Sequence, residues 1–352
     1  MKVGDIGEKG LLKRLQRFCP PEIVGDDAAV LPTQPGQSLV VTTDMLVDGV
    51  HFSDRTTSPE DAGWRAAAAN LSDLAAMGAT PMGITIALGL PGDVAVSWVE
   101  RLYHGMSECL QQYQTPIVGG DVCRSPVINI AITAFGMVEP TQVIRRSTAR
   151  VGDAIVVTGV HGASRAGLEL LLHPELGQNL SECDRNSLLQ AHQRPKPRLD
   201  VLPILWEIFN SQSKIENHAT SATWGDPKTR VAPKSKIHLA GMDSSDGLAD
   251  AVVQLCHMSG VGAKIERSQI PIPDVLESLV SPEQALNWAL YGGEDFELVL
   301  CMPLQTAQVL VKRLGEKAAI VGEIVADTEV VLCHTNENPD QVLSLSRGFQ
   351  HF

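Results

Sequence analysis

The chain has 352 residues, of which 44% are hydrophobic and 20% are charged. This length and composition predict a globular protein with two domains, each large enough to bury a core. The formal net charge of −13 argues against nucleic acid or an anionic membrane surface as a partner. The seven cysteines form no CxxC pair and no apolar run is long enough to cross a bilayer, so we expect reduced thiols in a cytoplasmic protein.

The first half of the chain alternates helical and strand patterns, which predicts an α/β domain over residues 1–148 with a mixed sheet. Ser58 and Pro59 mark the start of a helix that ends at Gly78. The other predicted helices cover 8–18 and 95–113, and the predicted strands cover 23–31, 38–43, 82–89, a segment ending at 119–121, and 127–138.

A new strand begins near residue 152, so we place a second α/β domain at 149–352. Helices are predicted at 162–173, 184–193 and 199–209, followed by a mobile surface insertion at 211–236 that is polar and lacks apolar periodicity. A strand at 237–242 then leads into a helix that opens at 243–247, and two strand and helix pairs follow. The fold class is thus α/β (α+β) with two domains.

Two short acidic segments near the N-terminus have the composition of a Mg²⁺ site. Asp26 and Asp27 follow Gly25, and Thr42-Thr43-Asp44 occurs one strand later. Carboxylate and hydroxyl oxygens are the ligands that this hard cation takes. The alternative for Asp26 and Asp27 is a turn, because aspartate beside glycine satisfies local backbone groups. On an extended segment only one of the two would ligate directly, and Asp27 is the preferred ligand.

Further carboxylates occur at Asp73, Asp121 and the segment 243–246. Asp73 lies in a largely apolar helix, where a charge is costly unless it is paired or bound to a metal. Gly119 and Gly120 before Asp121 fit either a strand-end turn or a backbone that approaches a ligand. The segment 243–246 fits either a helix N-cap at Ser245 or a phosphate and Mg²⁺ site at a helix N-terminus.

Basic and imidazole side chains complete the candidate site. Arg146 is either a phosphate clamp or a solvated surface arginine, and His51 is either a structural histidine or a donor to a substrate phosphate. No Walker A motif or dinucleotide fingerprint occurs, so a nucleotide site would be built from metal ions and glycines. The acidic groups together predict several Mg²⁺ ions that bridge two phosphorylated molecules.

The ordered motifs GDDAAV, TTDMLVDGVHF, NLSDLAAMGATP, GGD, RRS, GDAIVVTG, DSSDGL and GGEDFEL resemble those of the thiamine-monophosphate kinase family. This family belongs to the superfamily of aminoimidazole ribonucleotide synthetase and selenophosphate synthetase. The resemblance runs from about residue 4 to the terminal GFQHF and breaks only at 211–236. It implies a homodimer in the cytoplasm whose N-terminal sheets meet, and phosphorylation of thiamine monophosphate by ATP with Mg²⁺.

Site roles follow from the resemblance position by position. It implies metal ligands at Asp27, Thr42, Thr43, Asp44, Asp73, Asp121, Asp243 and Asp246. It implies ATP contacts at Tyr103, Gly120, Asp121, Arg146 and Ser245. It implies thiamine phosphate contacts at His51, Glu294 and Phe349. The chain departs from the family at Phe349, where a Trp or Tyr is frequent, and at Gln350, where an Asp is frequent.

The expected chemistry is direct in-line transfer without a phosphoenzyme and without a catalytic base, because the acceptor oxygen is already anionic. Two alternatives stay open. One is another ATP-dependent activity of the superfamily, of the aminoimidazole ribonucleotide or selenophosphate synthesis type; for the latter, Cys19 beside Pro20-Pro21 is the nearby thiol. The other is a nucleotide sensor without catalysis.

Overall fold

The structure is a computed structural model that describes residues 1–20, 31–220, 238–333, 340–344 and 347, with the backbone alone at 9 and 212–220. Its described strands form two sheets, one of four strands and one of seven. Helices pack on both, which confirms the α/β fold class with two sheet-based units. The predicted strand at 23–31, Asp26, Asp27, Phe349 and Gln350 lie outside the described residues.

The first sheet has the strand order β1-β4-β2-β3. Its β2 and β3 are parallel, and the other neighbours are antiparallel. This part of the chain contains α1 (Val3–Leu15), β1 (Ser38–Val47), α2 (Pro59–Ala76), β2 (Thr80–Leu90), α3 (Val96–Gln112), β3 (Ile117–Arg124) and β4 (Asn129–Val138). The predicted helices and the predicted strands from residue 38 onward are present, and β1 extends four residues further than expected.

Helix α2 is fixed in place by its sequence. The Oγ of Ser58 accepts a hydrogen bond from the backbone N–H of Asp61 at 3.2 Å, and Pro59 is the first helical residue, as predicted. Glycines allow α2 and α3 to cross closely: a Cβ on Gly63 would lie 2.0 Å from the carbonyl oxygen of Leu102. Helix α2 therefore cannot slide along α3, and the side chains that it presents are held at fixed positions.

The second sheet has the order β11-β10-β7-β9-β5-β8-β6, with β10 and β7 as its parallel pair. Its strands are β5 (Asp153–Val157), β6 (Ala240–Asp243), β7 (Gly262–Glu266), β8 (Leu298–Pro303), β9 (Ala319–Val325), β10 (Val330–Cys333) and β11 (Gln341–Val342). Its helices are α4 (Ala163–Leu172), α5 (Glu182–Gln193), α6 (Val201–Thr220), α7 (Leu248–Ser259), α8 (Pro282–Tyr291) and α9 (Leu304–Leu314).

The two sheets share a buried cluster at the end of α2. Ala75 and Ala76 lie in the same hydrophobic cluster as Val156, Leu205 and Leu300 of the second sheet and its helices. Burial of this shared apolar surface stabilises the contact between the two halves of the chain. Helix α2 thus contributes side chains to the boundary between them.

Two expected element boundaries are wrong. Gly119-Gly120-Asp121 lies in the middle of β3, because the pairing with β2 continues to Arg124. The carbonyl of Ile86 lies 2.3 Å from where a Cβ of Gly120 would be, so the close strand supplies a structural reason for this glycine. Residues 211–220, expected in a loop, continue α6, because a segment of polar sequence can form a helix as well as a loop. The rest of that insertion, up to 236, is outside the described part.

Of the two alternatives for the segment 243–246, the helix N-cap at Ser245 is wrong. Asp243 ends β6, a turn follows, and Gly247 with φ +107 is the residue before α7. The backbone N–H of Gly247 donates to the carbonyl of Ser244 at 3.0 Å. The hydroxyl of Ser245 is thereby available to contact Asp243. Within the described residues, no helix is long and apolar enough to cross a membrane.

Candidate functional site

A cavity of about 880 Å³ lies at the boundary between the two sheets. The first half contributes the segment from Thr43 to Thr56 and the face of α2 that carries Arg65, Ala69 and Asp73. The second half contributes α4, His192, the turn after β6 and the loop 292–296. The cavity has an acidic end, formed by Asp44, Asp73, Asp243 and Asp246. His51 and Glu294 lie on its other walls.

The acidic end brings together carboxylates from β1, α2 and the turn after β6. The pKa of Asp44 is raised to about 6, first by burial and then by the charges of Asp73 and Asp246. Burial also raises the pKa of Asp73, while a hydrogen bond from the Thr42 hydroxyl and the charge of Arg146 oppose that shift. These carboxylates repel one another when ionised, and a divalent cation would relieve that repulsion.

Asp243 is the most deeply buried member, with 2% of its surface exposed. Its Oδ2 accepts a hydrogen bond from the Oγ of Ser72 at 2.6 Å, and its Oδ1 accepts one from the Oγ of Ser245 at 3.1 Å. Burial and the charge of Asp73 raise its pKa to about 7, although both hydroxyl bonds favour the ionised form. Asp243 is therefore oriented from both halves of the chain.

The donor set fits Mg²⁺ in its chemistry, since it consists of carboxylate and hydroxyl oxygens. Thr43 lines the cavity and donates its hydroxyl to the carbonyl of Ile132 at 2.9 Å. The carboxylates are spread around the cavity: across the described part of the chain, no three His, Cys, Asp or Glu side chains are close enough to hold one ion by themselves. Such a site would be completed by phosphate oxygens and water, which is how this ion is often bound beside nucleotides.

At the other walls, His51 and Glu294 face the cavity. The backbone N–H of Val47 donates to the Nδ1 of His51 at 3.1 Å, so in the neutral ring the hydrogen is on Nε2. Glu294 has φ +59, and its backbone N–H donates to the carbonyl of Ser245 at 2.7 Å. The loop that carries Glu294 is thereby joined to the acidic end of the cavity.

The rest of the GGEDFEL segment is structural. Asp295 accepts hydrogen bonds from the backbone N–H groups of Gly162 at 2.7 Å and Ser164 at 2.9 Å, which satisfies the start of α4. Phe296 is buried in the cavity wall. Glu297 accepts a hydrogen bond from the Thr158 hydroxyl at 2.5 Å and pairs with Arg198. Glu294 is thus the member of this motif whose carboxylate faces the cavity.

Gly120, Asp121, Tyr103 and Arg146 were also expected at the site, and the structure places them outside the cavity lining. Gly120 and Asp121 lie on β3, which forms the opposite edge of the first sheet from β1. Tyr103 is 4% exposed and packs with its ring 5.4 Å from that of Phe18, and burial raises its pKa. Arg146 is exposed and donates to the Oε1 of Gln254 at 2.6 Å. None of these four residues lines the cavity in the described structure.

Three basic side chains of the cavity were missed by the sequence reasoning, namely Arg65, Arg165 and His192. Arg65 is 3% exposed and contacts His51, His192 and Glu294. The signal that identified Asp73, a charge within the alanine-rich helix, applies equally to Arg65 and could have found it. His192 and Arg165 carry no comparable pattern, because only the packing of α4 and α5 brings them to the cavity.

Comparison with known families fits this architecture. Residues 25–138 match the family model of the AIR synthase related protein, N-terminal domain, and residues 150–334 match that of its C-terminal domain. The fold and the cavity between its halves thus define an AIR synthase related protein of two domains. Within that class, the chain belongs to the thiamine-monophosphate kinase family.

The relatives cover nearly the whole chain. Identity to the thiamine-monophosphate kinase of Synechococcus elongatus is 49% over 99% of this chain and 98% of the relative. The thiamine-monophosphate kinase of Escherichia coli K12 is 34% identical over 94% of this chain and 91% of its own length.

Solved structures agree with the sequence relatives. The crystal structure of the thiamine-monophosphate kinase from Stenotrophomonas maltophilia K279a has a TM-score of 0.73 at 30% identity, over 92% of this chain and 95% of that one. A structure of AaThiL complexed with AMPPCP and TMP has a TM-score of 0.70 at 29% identity, over 100% of this chain and 99% of that one.

Proposed function

We propose that this chain transfers the γ-phosphoryl group of ATP to thiamine monophosphate and so forms thiamine diphosphate. The observation that carries the proposal is that one cavity has Asp44, Asp73 and Asp243 at one end and His51 and Glu294 on its other walls. The acidic end suits a polyanion that binds through a cation. The carboxylate of Glu294 suits an acceptor with a positively charged heterocycle.

The proposed mechanism needs orientation and charge neutralisation rather than covalent help, because a phosphate oxygen of the acceptor is already anionic. Bound Mg²⁺ would neutralise charge between the two phosphorylated substrates. The ligands that we propose are Asp27, Thr42, Thr43, Asp44, Asp73, Asp121, Asp243 and Asp246. The chain supplies no catalytic base in this scheme. His51 donates a hydrogen bond through Nε2, and Glu294 orients the acceptor.

The nucleotide contacts that we propose are Tyr103, Gly120, Asp121, Arg146 and Ser245, and Phe349 joins His51 and Glu294 at the acceptor. The positive charge of Arg146 acts to lower the pKa of Asp73, which supports a place for Arg146 near the acidic end. The family resemblance supports the roles of Gly120 and Asp121, which lie on β3 at the edge of the first sheet opposite to β1.

We also propose that two copies associate through β1. The side chains of Leu39, Val41 and Met45 alternate along its outer face and are each more than half exposed. Exposed apolar surface of this kind is typical of an interaction site. A second copy of the chain, as the family resemblance implies, would cover it. All seven cysteines are free, which supports residence in the reducing cytoplasm.

The direct test is incubation with ATP, Mg²⁺ and thiamine monophosphate, with products resolved by chromatography. Thiamine diphosphate is expected, and its absence with folded protein would refute the proposal. Asp44→Asn should reduce turnover at least about tenfold, since even indirect metal partners contribute that much. Asp93→Asn, in the exposed turn before α3, is the control and should keep full activity. Calorimetry that shows ATP binding without turnover would favour a sensor.

A further inference from the structure

Arg65 connects both walls of the cavity that carry the proposed acceptor contacts. Its Nη2 donates to the Oε1 of Glu294 at 2.5 Å and to the backbone carbonyl of His51 at 3.2 Å. His51 belongs to the first half of the chain and Glu294 to the second. A single guanidinium therefore fixes the distance between two groups that no strand or helix joins directly.

Glu294 provides the negative charge that balances the guanidinium of Arg65. The Nη1 of Arg65 donates to the backbone carbonyl of His192 at 2.7 Å. The His192 ring stays neutral, because burial and the charges of Arg65 and Arg165 lower its pKa to about 2. Neither contact neutralises a buried guanidinium, so the ion pair with Glu294 does so.

Glu294 keeps capacity for a ligand while it is held. Its side chain is 34% exposed and lines the cavity, whereas the side chain of Arg65 is 3% exposed. A carboxylate has about four acceptor positions, and Arg65 occupies only one oxygen, while the Nδ1 of His192 lies 3.6 Å from the other. In this pair the buried Arg65 positions Glu294, and the accessible Glu294 can bind a ligand.

A purely structural arginine would be expected to satisfy all its donors. The buried Nε of Arg65 has no hydrogen-bond partner within the described residues, although the side chain lies among polar groups. The orientation of its Nη atoms toward Glu294 and His51 is therefore kept at the expense of one unsatisfied donor. This favours a role in arranging the cavity over a role in stability alone.

We propose that Arg65 is a positioning residue that holds Glu294 and the His51 segment in the geometry that receives thiamine monophosphate. This inference deepens the proposed function and rests on it. Arg65 acts through Glu294 and does not itself need to touch the acceptor. Its loss should weaken binding of the acceptor and leave binding of ATP, at the other end of the cavity, unchanged.

The experiment compares Arg65→Met, Arg65→Lys and Arg101→Met in the full-length protein. The KM for thiamine monophosphate should increase roughly 10- to 100-fold in Arg65→Met, the factor that corresponds to a charge-assisted hydrogen bond. The kcat and the KM for ATP should stay within about threefold, as expected when uniform binding of one substrate is lost. Arg65→Lys keeps the charge with a single donor group and should recover part of the affinity.

Arg101→Met is the matched control. Arg101 of α3 also pairs with a glutamate, because its Nε and Nη2 donate to the carboxylate of Glu60 on α2 at 2.6 and 2.8 Å, but its side chain is half exposed and does not line the cavity. It should leave both KM values unchanged. Equal effects of Arg65→Met on the two KM values, or an unchanged KM for thiamine monophosphate, would overturn the inference.

A double-mutant cycle separates positioning from other effects. If Arg65 acts through Glu294, adding Arg65→Met to Glu294→Gln should raise the KM for thiamine monophosphate little further. Fully multiplicative effects would refute the coupling. If Arg65→Met does not fold, the same cycle with Arg65→Lys decides. If the wild type is active and the effects of the variants are not coupled, the proposed role of Arg65 is wrong. If the wild type forms no thiamine diphosphate, the proposed function itself is wrong.

Discussion

The hydroxyl of Ser72 lies 2.6 Å from the Oδ2 of Asp243 and so connects α2 to the end of β6 across the boundary between the two halves. Both side chains are completely or almost completely buried. Removal of the hydroxyl in Ser72→Ala leaves a buried carboxylate with one fewer donor. We expect the free energy of unfolding to fall by about 1–3 kcal/mol.

Urea denaturation of Ser72→Ala checks this expectation, with Ser107→Ala on α3 as the control. The Oγ of Ser107 is buried without a hydrogen-bond partner among the residues described, so its removal should be neutral or slightly stabilising. A Ser72 variant as stable as the wild type would show that Asp243 is held by other groups.

The buried histidines His161 and His192 predict a contribution to stability that is lost in acid. Burial lowers the pKa of His161 from 6.5 to about 4, and that of His192 is lowered to about 2. Between pH 6.5 and 4 the unfolded chain therefore binds more protons at these positions than the folded chain. Stability contributed by the neutral imidazoles is complete above pH 6.5 and declines as the pH falls.

Urea midpoints measured at several pH values between 7 and 4 test the histidine prediction. His161→Met removes one titrating group, so the midpoint of the wild type relative to that of the variant should fall as the pH decreases from 6.5 to 4, even if the variant is less stable at pH 7. A difference between the two midpoints that stays constant with pH would show that His161 does not contribute to the acid response.

The crossing of α2 and α3 predicts a large cost at Gly63. A Cβ there would overlap the carbonyl of Leu102, so Gly63→Ala must push the helices apart. Overpacking of this kind costs about 1–3 kcal/mol and occasionally more. Gly92→Ala is the control, because no atom lies within 4 Å of its added Cβ. Thermal unfolding of the two variants should differ clearly; similar melting temperatures would contradict the fixed crossing.

The exposed face of β1 predicts an effect on assembly. Val41→Glu places a charge among Leu39 and Met45 and should convert a dimer of the 37.8 kDa chain to monomers in sedimentation experiments. Val309→Glu on α9 changes a valine of similar exposure, 45% against 53%, and should leave the assembly unchanged. A monomeric wild type, or a Val41 variant that stays dimeric, would exclude this face as the interface.

Local signals in the sequence predicted much of the fold. The Ser58-Pro59 cap and the apolar periods located α2 and most strands, because these features depend on neighbouring residues. The position of Gly120 within β3 depends on the approach of β2, which no local pattern contains. For the same reason the N-cap alternative at Ser245 is wrong, since a turn from Ser244 to Gly247 separates the end of β6 from the start of α7.

The candidate site was predictable where family motifs mark single residues, as at Asp44, Asp73 and Glu294. The network of Arg65 was not, because Arg65 and Glu294 are 229 positions apart in the chain. Pairing at that separation follows from packing of the two sheets against α2. The sequence shows only that a buried arginine requires a partner, and not which carboxylate provides it.

Arg65, Ala69 and Asp73 line the cavity from successive turns of α2. Eight residues separate the first from the last, which corresponds to about 12 Å along the helix axis. Since one helix carries both residues, the distance between the two ends of the cavity along α2 is constant. The cavity would then select molecules by their length. An acceptor that binds at the Glu294 end but lacks its phosphate would not extend to the carboxylates, however well its ring system binds.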